Sequence, residues 1–172
     1  MYRTPKGTYD ITPDLQQYHT YIKKAVRHRA RQAGFKRIDT PIFEDRGVFD
    51  RGVGLHTDIV EKELFTMSRK GDKDEEWALR PEPTAPICRA YIEHGMHQLP
   101  QPVQLYLIGP LFRNDRPQKG RYRQHWQVGV EVLELHDIER FEVVCFDNGW
   151  KDGSALRQRI EACTPIVPIR KL

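Results

Sequence analysis

The chain has 172 residues, enough for one domain with a buried core, and its 38% hydrophobic and 30% charged residues exclude a disordered or fibrous protein. No apolar run approaches the roughly 20 residues that cross a bilayer, and the N-terminus lacks the apolar core of a signal peptide, so we expect a cytoplasmic protein without membrane contact. The net charge of +4 does not describe a generally basic surface, because five basic residues and one acid between 113 and 123 account for all of it.

The first predicted element is a long amphipathic helix. Thr12 is expected to be its N-cap, with Pro13 at the first helical position and Gly34 as its C-terminal stop. Lysines and arginines between 23 and 31 line the outer face, which we interpret as solvated. The apolar residues that recur at helical spacing are Leu15, Tyr18, Ile22, Ala25, Val26 and Ala33.

Three extended segments and a short helix follow. Extended segments are predicted over 35–44, 62–69 and 75–82, the last two as a hairpin with a charged turn at 70–74, and the helix over 84–94. Pro41 cannot donate a hydrogen bond, so its segment is predicted to be an edge, a bulge or part of a subunit contact. Thr84 is a candidate N-cap of the short helix.

Two longer strands, predicted over 103–112 and 124–135, flank the basic loop and should pair antiparallel. In the second strand, four large apolar side chains point one way, and polar residues with a glycine between them point the other. The first set is Trp126, Val128, Val130 and Val132, and the second is Gln127, Gly129 and Glu131. The polar face is either solvated, which the alternation alone favours, or the floor of a ligand site where glycine admits a ligand to the backbone.

The chemistry of this region points to a site that binds an amino acid next to a nucleotide. Arginines in the loop can hold a polyphosphate bidentately, and carboxylates on the neighbouring strand can accept hydrogen bonds from an ammonium or imidazole group. No metal site is predicted, because three widely separated cysteines and seven histidines show no ligand spacing beyond the pair His94 and His97.

The loop and its flanking strands resemble motif 2 of the histidyl-tRNA synthetases, in the run YLIGPLFRNDRPQKGRYRQHWQVGVE. Four other segments are similar to the same family, namely KGTYDITP, RIDTPIFE as motif 1, TDIVEKELFTM and LRPEPTAPICRAYIEHGM. The resemblance implies an α/β fold of the α+β type, in which an antiparallel sheet is flanked by helices. We expect residues 1–142 to form a class II synthetase catalytic core, truncated because motif 3 and an anticodon-binding domain have no counterpart, and residues 143–172 to be a divergent, poorly ordered tail.

The resemblance also implies roles for individual residues. Arg113 would be catalytic, gripping the α-phosphate of ATP and the carboxylate of histidine. Asp115 would read the adenine and Arg121 would hold the outer phosphates together with Mg²⁺, while His125 stands where the family has an adenine-stacking phenylalanine. The residues implied to bind histidine are Glu82, Pro83, Thr84, Arg113, Gln127 and Glu131. Glu131 would accept a hydrogen bond from the imidazole, and Pro83 departs from a small or apolar residue in the family.

The implied activity is that of a histidine–tRNA ligase, which activates L-histidine with ATP and transfers it to tRNA(His), in a homodimer built by motif 1. Two alternatives stay open. One is a non-catalytic paralogue that senses histidine, like the regulatory subunit of ATP phosphoribosyltransferase. The other is an inactive remnant that binds RNA or dimerises.

Overall fold

The computed structural model describes residues 2–50, 63–68, 76–118 and 120–133, and the backbone of 51–52 and 141–146. The first helix, α1, spans Pro13–Gln32 and begins as predicted, with Thr12 at the N-cap position. It ends before Gly34, whose φ of 85° lies in the left-handed region that glycine adopts without strain.

The larger sheet has four strands in the order β1, β5, β6, β7. Their bounds are β1 Lys36–Arg37, β5 Val103–Phe112, β6 Gln124–Leu133 and β7 Phe141–Phe146. The pair β5 and β6 is antiparallel along its whole length, which confirms the predicted pairing, and only the two-residue β1 runs parallel to its neighbour. The fold is therefore of the α+β type, with a largely antiparallel sheet. Strand β7 spans the predicted domain boundary at residue 142, and residues 147–172 lie outside the described part of the chain.

The single strand predicted over 35–44 is wrong. Its ends belong to two different sheets, as β1 and as β2 (Phe43–Asp45), and the residues between them are in neither. The carbonyls of Thr40 and Pro41 point to the Arg80 guanidinium instead of a strand partner. The chain therefore crosses between the sheets at the proline that cannot join a ladder.

The smaller sheet has three antiparallel strands in the order β2, β4, β3. Strand β3 spans Thr66–Ser68 and β4 spans Glu76–Leu79, so the predicted hairpin strands pair as expected but are shorter. The charged turn predicted at 70–74 lies outside the described residues. Helix α2 (Arg46–Gly52) follows β2 directly.

Two helices cover opposite faces of the larger sheet. Helix α1 packs on one face through a cluster of Ala30, Phe35, Tyr106, Ile108 and Val128. Helix α3 (Thr84–Glu93), which confirms the predicted short helix, packs on the other through Ile87, Tyr91, Val103, Leu105, Leu107 and Leu133. Each such large buried side chain contributes about 1.5–3 kcal/mol by leaving water. The N-terminus of α3 thereby comes to lie over the middle of β6. No helix in the described part of the chain is long and apolar enough to cross a membrane.

Candidate functional site

The polar face of β6 is buried beneath the start of α3. Gln127 and Glu131 are each only 1% exposed, so the interpretation of this face as solvated is wrong. The reason is long-range, since α3 and the segment before it cover a face that the alternation of side chains alone left open. Trp126 lies on the opposite face, where its ring makes an edge contact with His19 of α1 at 5.6 Å between ring centroids.

The gap at Gly129 is filled by the protein itself. A Cβ built at Gly129 would lie 2.6 Å from Cγ of Pro83, whose side chain is fully buried. The expectation that this glycine admits a ligand to the backbone is therefore wrong at this position, because the pyrrolidine ring already rests on it. The same contact sets how closely the Pro83 segment approaches the floor.

Substitution of Gly129 by alanine should lower the free energy of unfolding by about 1–3 kcal/mol, because the new methyl group overlaps the Pro83 ring. In a Pro83→Ala background the same substitution should cost at least about 1 kcal/mol less, since the overlap is removed. Urea denaturation of the wild type, both single variants and the double variant measures this coupling. Additive effects would show that the two residues do not press on each other.

The N-terminus of α3 is capped by a carboxylate. Glu82 accepts hydrogen bonds from the backbone N–H of Thr84 at 2.7 Å and of Ala85 at 2.8 Å. The prediction of Thr84 as N-cap is therefore wrong: Pro83 holds that position, and Thr84 is the first helical residue. A negative group at this end also suits the helix dipole.

The Thr84 hydroxyl is used differently, because it donates a hydrogen bond of 2.8 Å to Oε1 of Glu131. The second carboxylate oxygen, Oε2, is buried and has no hydrogen-bond partner among the described residues. Burial raises the pKa of Glu131 to about 7, and the nearby Glu82 charge adds to the rise while the Thr84 hydrogen bond opposes it. An unpartnered buried acceptor of this kind is costly unless water or a ligand supplies the donor.

Arg113, at the end of β5, reaches toward the same segment. Its Nε donates to the carbonyl of Pro81 at 3.2 Å, and its backbone N–H donates to the carbonyl of Arg123 across the mouth of the loop. The guanidinium is thus placed beside the residue that precedes Glu82. Thr84 contacts Glu131 directly, and Arg113 is held at Pro81, three positions before Thr84 in the chain. Their joint action in one site stays a prediction.

Two residues predicted to contact different parts of ATP, Arg121 and Asp115, form an ion pair with each other. Nη1 of Arg121 lies 3.1 Å from Oδ2 of Asp115, and Oδ1 of Asp115 accepts from the backbone N–H of Arg116. His125 pairs with Leu111 across the sheet and, by the alternation of β6, shares a face with Gln127. The described residues contain no group of three or more histidine, cysteine or acidic side chains placed to hold a metal ion.

Comparison with known proteins decides the family. A family model described as histidyl-tRNA synthetase matches residues 7–145. The histidine–tRNA ligase of Dehalococcoides mccartyi is 52% identical over 134 residues, which are 77% of this chain and 31% of that relative. The chain belongs to the histidyl-tRNA synthetase family. It spans about 31% of the length of that curated relative.

Solved structures show the same relationship. The apo histidyl-tRNA synthetase of S. aureus matches with a TM-score of 0.62 and 38% identity, over 77% of this chain and 33% of that one. A protein described as an ATP phosphoribosyltransferase regulatory subunit/histidyl-tRNA synthetase from Bacillus halodurans matches with a TM-score of 0.61 and 25% identity, over 77% of this chain and 32% of that one. The fold described above is thus that of the class II synthetase catalytic core.

Two buried residues near the site, Arg80 and Cys88, are not indicated by the sequence alone. Arg80 is buried and lies against Gly109 of β5, where a Cβ would come within 2.3 Å of its Nη2. Burial and the carboxylates of Glu131 and Glu82 raise the pKa of the Cys88 thiol to about 11, so the thiol stays protonated. Neither residue carries a local pattern that would mark it, since both are defined by packing against distant strands.

The raised pKa of Glu131 should make the stability of this synthetase-family chain depend on pH. Because the folded pKa of about 7 lies above the ordinary value of 4.5, the folded state binds an extra proton between these values. The contribution of Glu131 to stability is therefore most favourable below pH 4.5, falls as the pH rises to about 7, and is constant above it. Denaturation of the wild type and Glu131→Gln at pH 5 and pH 8 should show the variant gaining relative stability at the higher pH. An equal difference at both pH values would contradict the shift.

Proposed function

We propose that this chain carries the part of a histidine–tRNA ligase site that holds L-histidine and the phosphates of ATP. The observation that supports the proposal most is the buried Oε2 of Glu131, which lacks a donor among the residues described. The imidazole of histidine has a ring N–H that can supply that donor. A site built around such a bond discriminates strongly against amino acids that lack the group, because its buried acceptor would then stay unpaired.

The proposed reaction has two steps. The carboxylate oxygen of histidine attacks the α-phosphorus of ATP, pyrophosphate leaves, and histidyl-adenylate forms. A terminal ribose hydroxyl of tRNA(His) then attacks the carbonyl carbon, and AMP leaves. Charge develops on the α-phosphate in the first step, and the Arg113 guanidinium, held by the Pro81 carbonyl, is the group proposed to stabilise it. Glu82, Thr84 and Gln127 are proposed to bind the α-ammonium group, with Pro83 shaping the same wall.

ATP is proposed to enter with Mg²⁺ on its own phosphates, as part of the substrate. Arg121 would exchange its contact with Asp115 for the outer phosphates, a small cost because both side chains are partly exposed. Asp115 would then be available to the adenine amino group. His125, on the floor side of β6, is proposed to stack on the adenine, whereas Trp126 is committed to α1.

A homodimer is also proposed, through the outer face of the smaller sheet. Phe43 and Met67 are 46% and 37% exposed there, and the Phe43 ring lies 5.6 Å from that of Trp77. An apolar face of this kind, next to the segment that resembles motif 1, suits a second copy of the chain. Light scattering at micromolar concentration should give twice the monomer mass, and Phe43→Glu should give the monomer mass. A monomeric wild type would contradict the dimer.

The alternatives make different predictions for ATP. A cytoplasmic ligase binds both histidine and Mg·ATP, a histidine sensor binds histidine alone, and an inactive remnant binds neither. The loop from Arg113 to Arg123 favours the ligase, because a sensor of histidine has no use for arginines that grip phosphates.

Calorimetric titration with Mg·ATP separates these functions. The unaltered chain should bind Mg·ATP saturably. Arg113→Ala should weaken this binding by about ten- to a hundredfold, because a charge-assisted hydrogen bond is lost. Arg37→Ala removes an arginine whose ion pair with Asp39 is exposed, and serves as the matched control with unchanged affinity. Histidine binding without ATP binding would contradict the ligase function and favour the histidine sensor.

A further inference from the structure

The segment before α1 is attached to the arginine loop through its backbone. The carbonyl of Gly7 accepts hydrogen bonds from the backbone N–H groups of Arg123 at 2.8 Å and Gln124 at 3.4 Å. The carbonyl of Arg123 in turn accepts from the N–H of Arg113 at 2.9 Å. The backbone of Arg123 therefore links Gly7 to Arg113, the arginine proposed to act on the α-phosphate.

Side-chain packing reinforces this attachment. Gly7 has a φ of +86°, and a Cβ there would lie 2.9 Å from Cγ of Pro117 and 3.0 Å from Cγ of Arg123. The rings of Tyr9 and Tyr122 meet edge to face, with centroids 5.3 Å apart and planes at 77°. Only a residue without a side chain fits so close to the loop in this backbone conformation.

Residues 5–9 contain a turn stabilised by their own hydrogen bonds, so their conformation does not depend on the loop alone. Both the backbone N–H and the hydroxyl of Thr8 donate to the carbonyl of Pro5, at 3.0 and 2.7 Å. This turn presents Gly7 to the loop. On the loop side, Nε of Arg123 donates to the carbonyl of Asp115 at 3.2 Å, so the same arginine also holds the residue proposed to read adenine.

We infer that residues 5–9 are a brace that positions the ATP-binding loop, with Gly7 and Tyr9 acting as positioning residues through Arg123 and Tyr122. The inference rests on the proposed function, since it assigns the brace to ATP and not to histidine. The carbonyl of Gly7 accepts from the backbone of Arg123 and Gln124, and the Tyr9 ring contacts Tyr122 of the loop. Breaking the brace should therefore lower the affinity for ATP more than the affinity for histidine.

The test compares Tyr9→Ala, Tyr122→Ala and the double variant, with Tyr122→Phe as the control that keeps the ring. Calorimetry should show Mg·ATP affinity lowered about two- to tenfold in each alanine variant, with no further loss in the double variant. Histidine affinity should stay within about twofold throughout. Gly7→Ala should behave like Tyr9→Ala if it folds.

A second readout does not depend on ATP. Trypsin cleaves after Lys119, Arg121 and Arg123 when the loop opens, whereas Arg116 is followed by proline and is resistant. Native-state cleavage at these three bonds should accelerate in the alanine variants and not in Tyr122→Phe. Unchanged cleavage and unchanged ATP affinity would overturn the brace, as would an equal loss of histidine and ATP affinity. Faster cleavage in a chain whose wild type binds no ATP would leave the brace standing as a loop-ordering device and remove the proposed function.

Discussion

Replacing Glu131 with glutamine is expected to weaken histidine binding by about ten- to a hundredfold, the value of one hydrogen bond to a charged group. Glutamine keeps the shape of the side chain, and its carbonyl oxygen can still accept from the Thr84 hydroxyl. Its amide nitrogen, however, would take the place of Oε2 and present a donor to the donating imidazole N–H. The loss should appear as a change in affinity measured by calorimetry, with little change in thermal stability at acidic pH.

Asp10→Asn is the matched control, since it removes one carboxylate from an exposed position before α1. Its histidine affinity should equal that of the wild type. Thr84→Val should lower the affinity less than Glu131→Gln, because it removes the hydroxyl that orients the carboxylate rather than the acceptor itself. A folded Glu131→Gln protein with wild-type affinity would show that the imidazole is recognised elsewhere.

Loss of the Arg80 side chain is expected to have the largest effect on stability, about 3–5 kcal/mol for Arg80→Ala. Arg80 is 3% exposed and donates to three carbonyls and one hydroxyl. The carbonyls belong to Thr40, Pro41 and Pro110, so the guanidinium joins the crossing between the sheets to the end of β5. Alanine would leave these buried acceptors without a donor and create a cavity above Gly109.

Urea denaturation measures this effect, with Arg37→Ala as the exposed counterpart that should cost less than about 1 kcal/mol. Arg80→Lys should recover only part of the loss, because a single ammonium cannot reproduce the spread of the guanidinium donors. Burial lowers the pKa of Arg80, and the charges of Asp39 and Glu44 oppose the shift. A change in stability below about 1 kcal/mol in Arg80→Ala would contradict the proposed role of Arg80 as the link between the sheets.

Local sequence patterns were sufficient for the elements that local forces determine. The start and end of helix α1 are indicated by Pro13 and Gly34, which lie at its two ends. The β5 and β6 pair follows from alternating side chains on either side of a loop. The segment 35–44 has the apolar content of a strand, yet its path is set by hydrogen bonds to Arg80, some 40 residues later. No local pattern reports such a partner.

The sequence predicts which face of β6 carries the site residues, but it does not predict that this face is buried. Alternation along β6 placed Gln127 and Glu131 together, whereas their exposure depended on where α3 begins. That start is set by the local contact of the Glu82 carboxylate with Thr84 and by the fit of Pro83 on Gly129, two residues 46 positions apart in the chain. The roles assigned to Arg113, Asp115, Arg121 and His125 came from family resemblance, and they stay predictions until binding is measured.

The most direct test of the proposed site is a calorimetric titration of the unaltered chain with L-histidine. A saturable isotherm with one site per chain, absent for L-leucine and other amino acids whose side chains lack a donor, is the predicted result. A folded chain that gives no heat beyond dilution up to millimolar histidine would contradict the claim that the Glu131 floor recognises the imidazole.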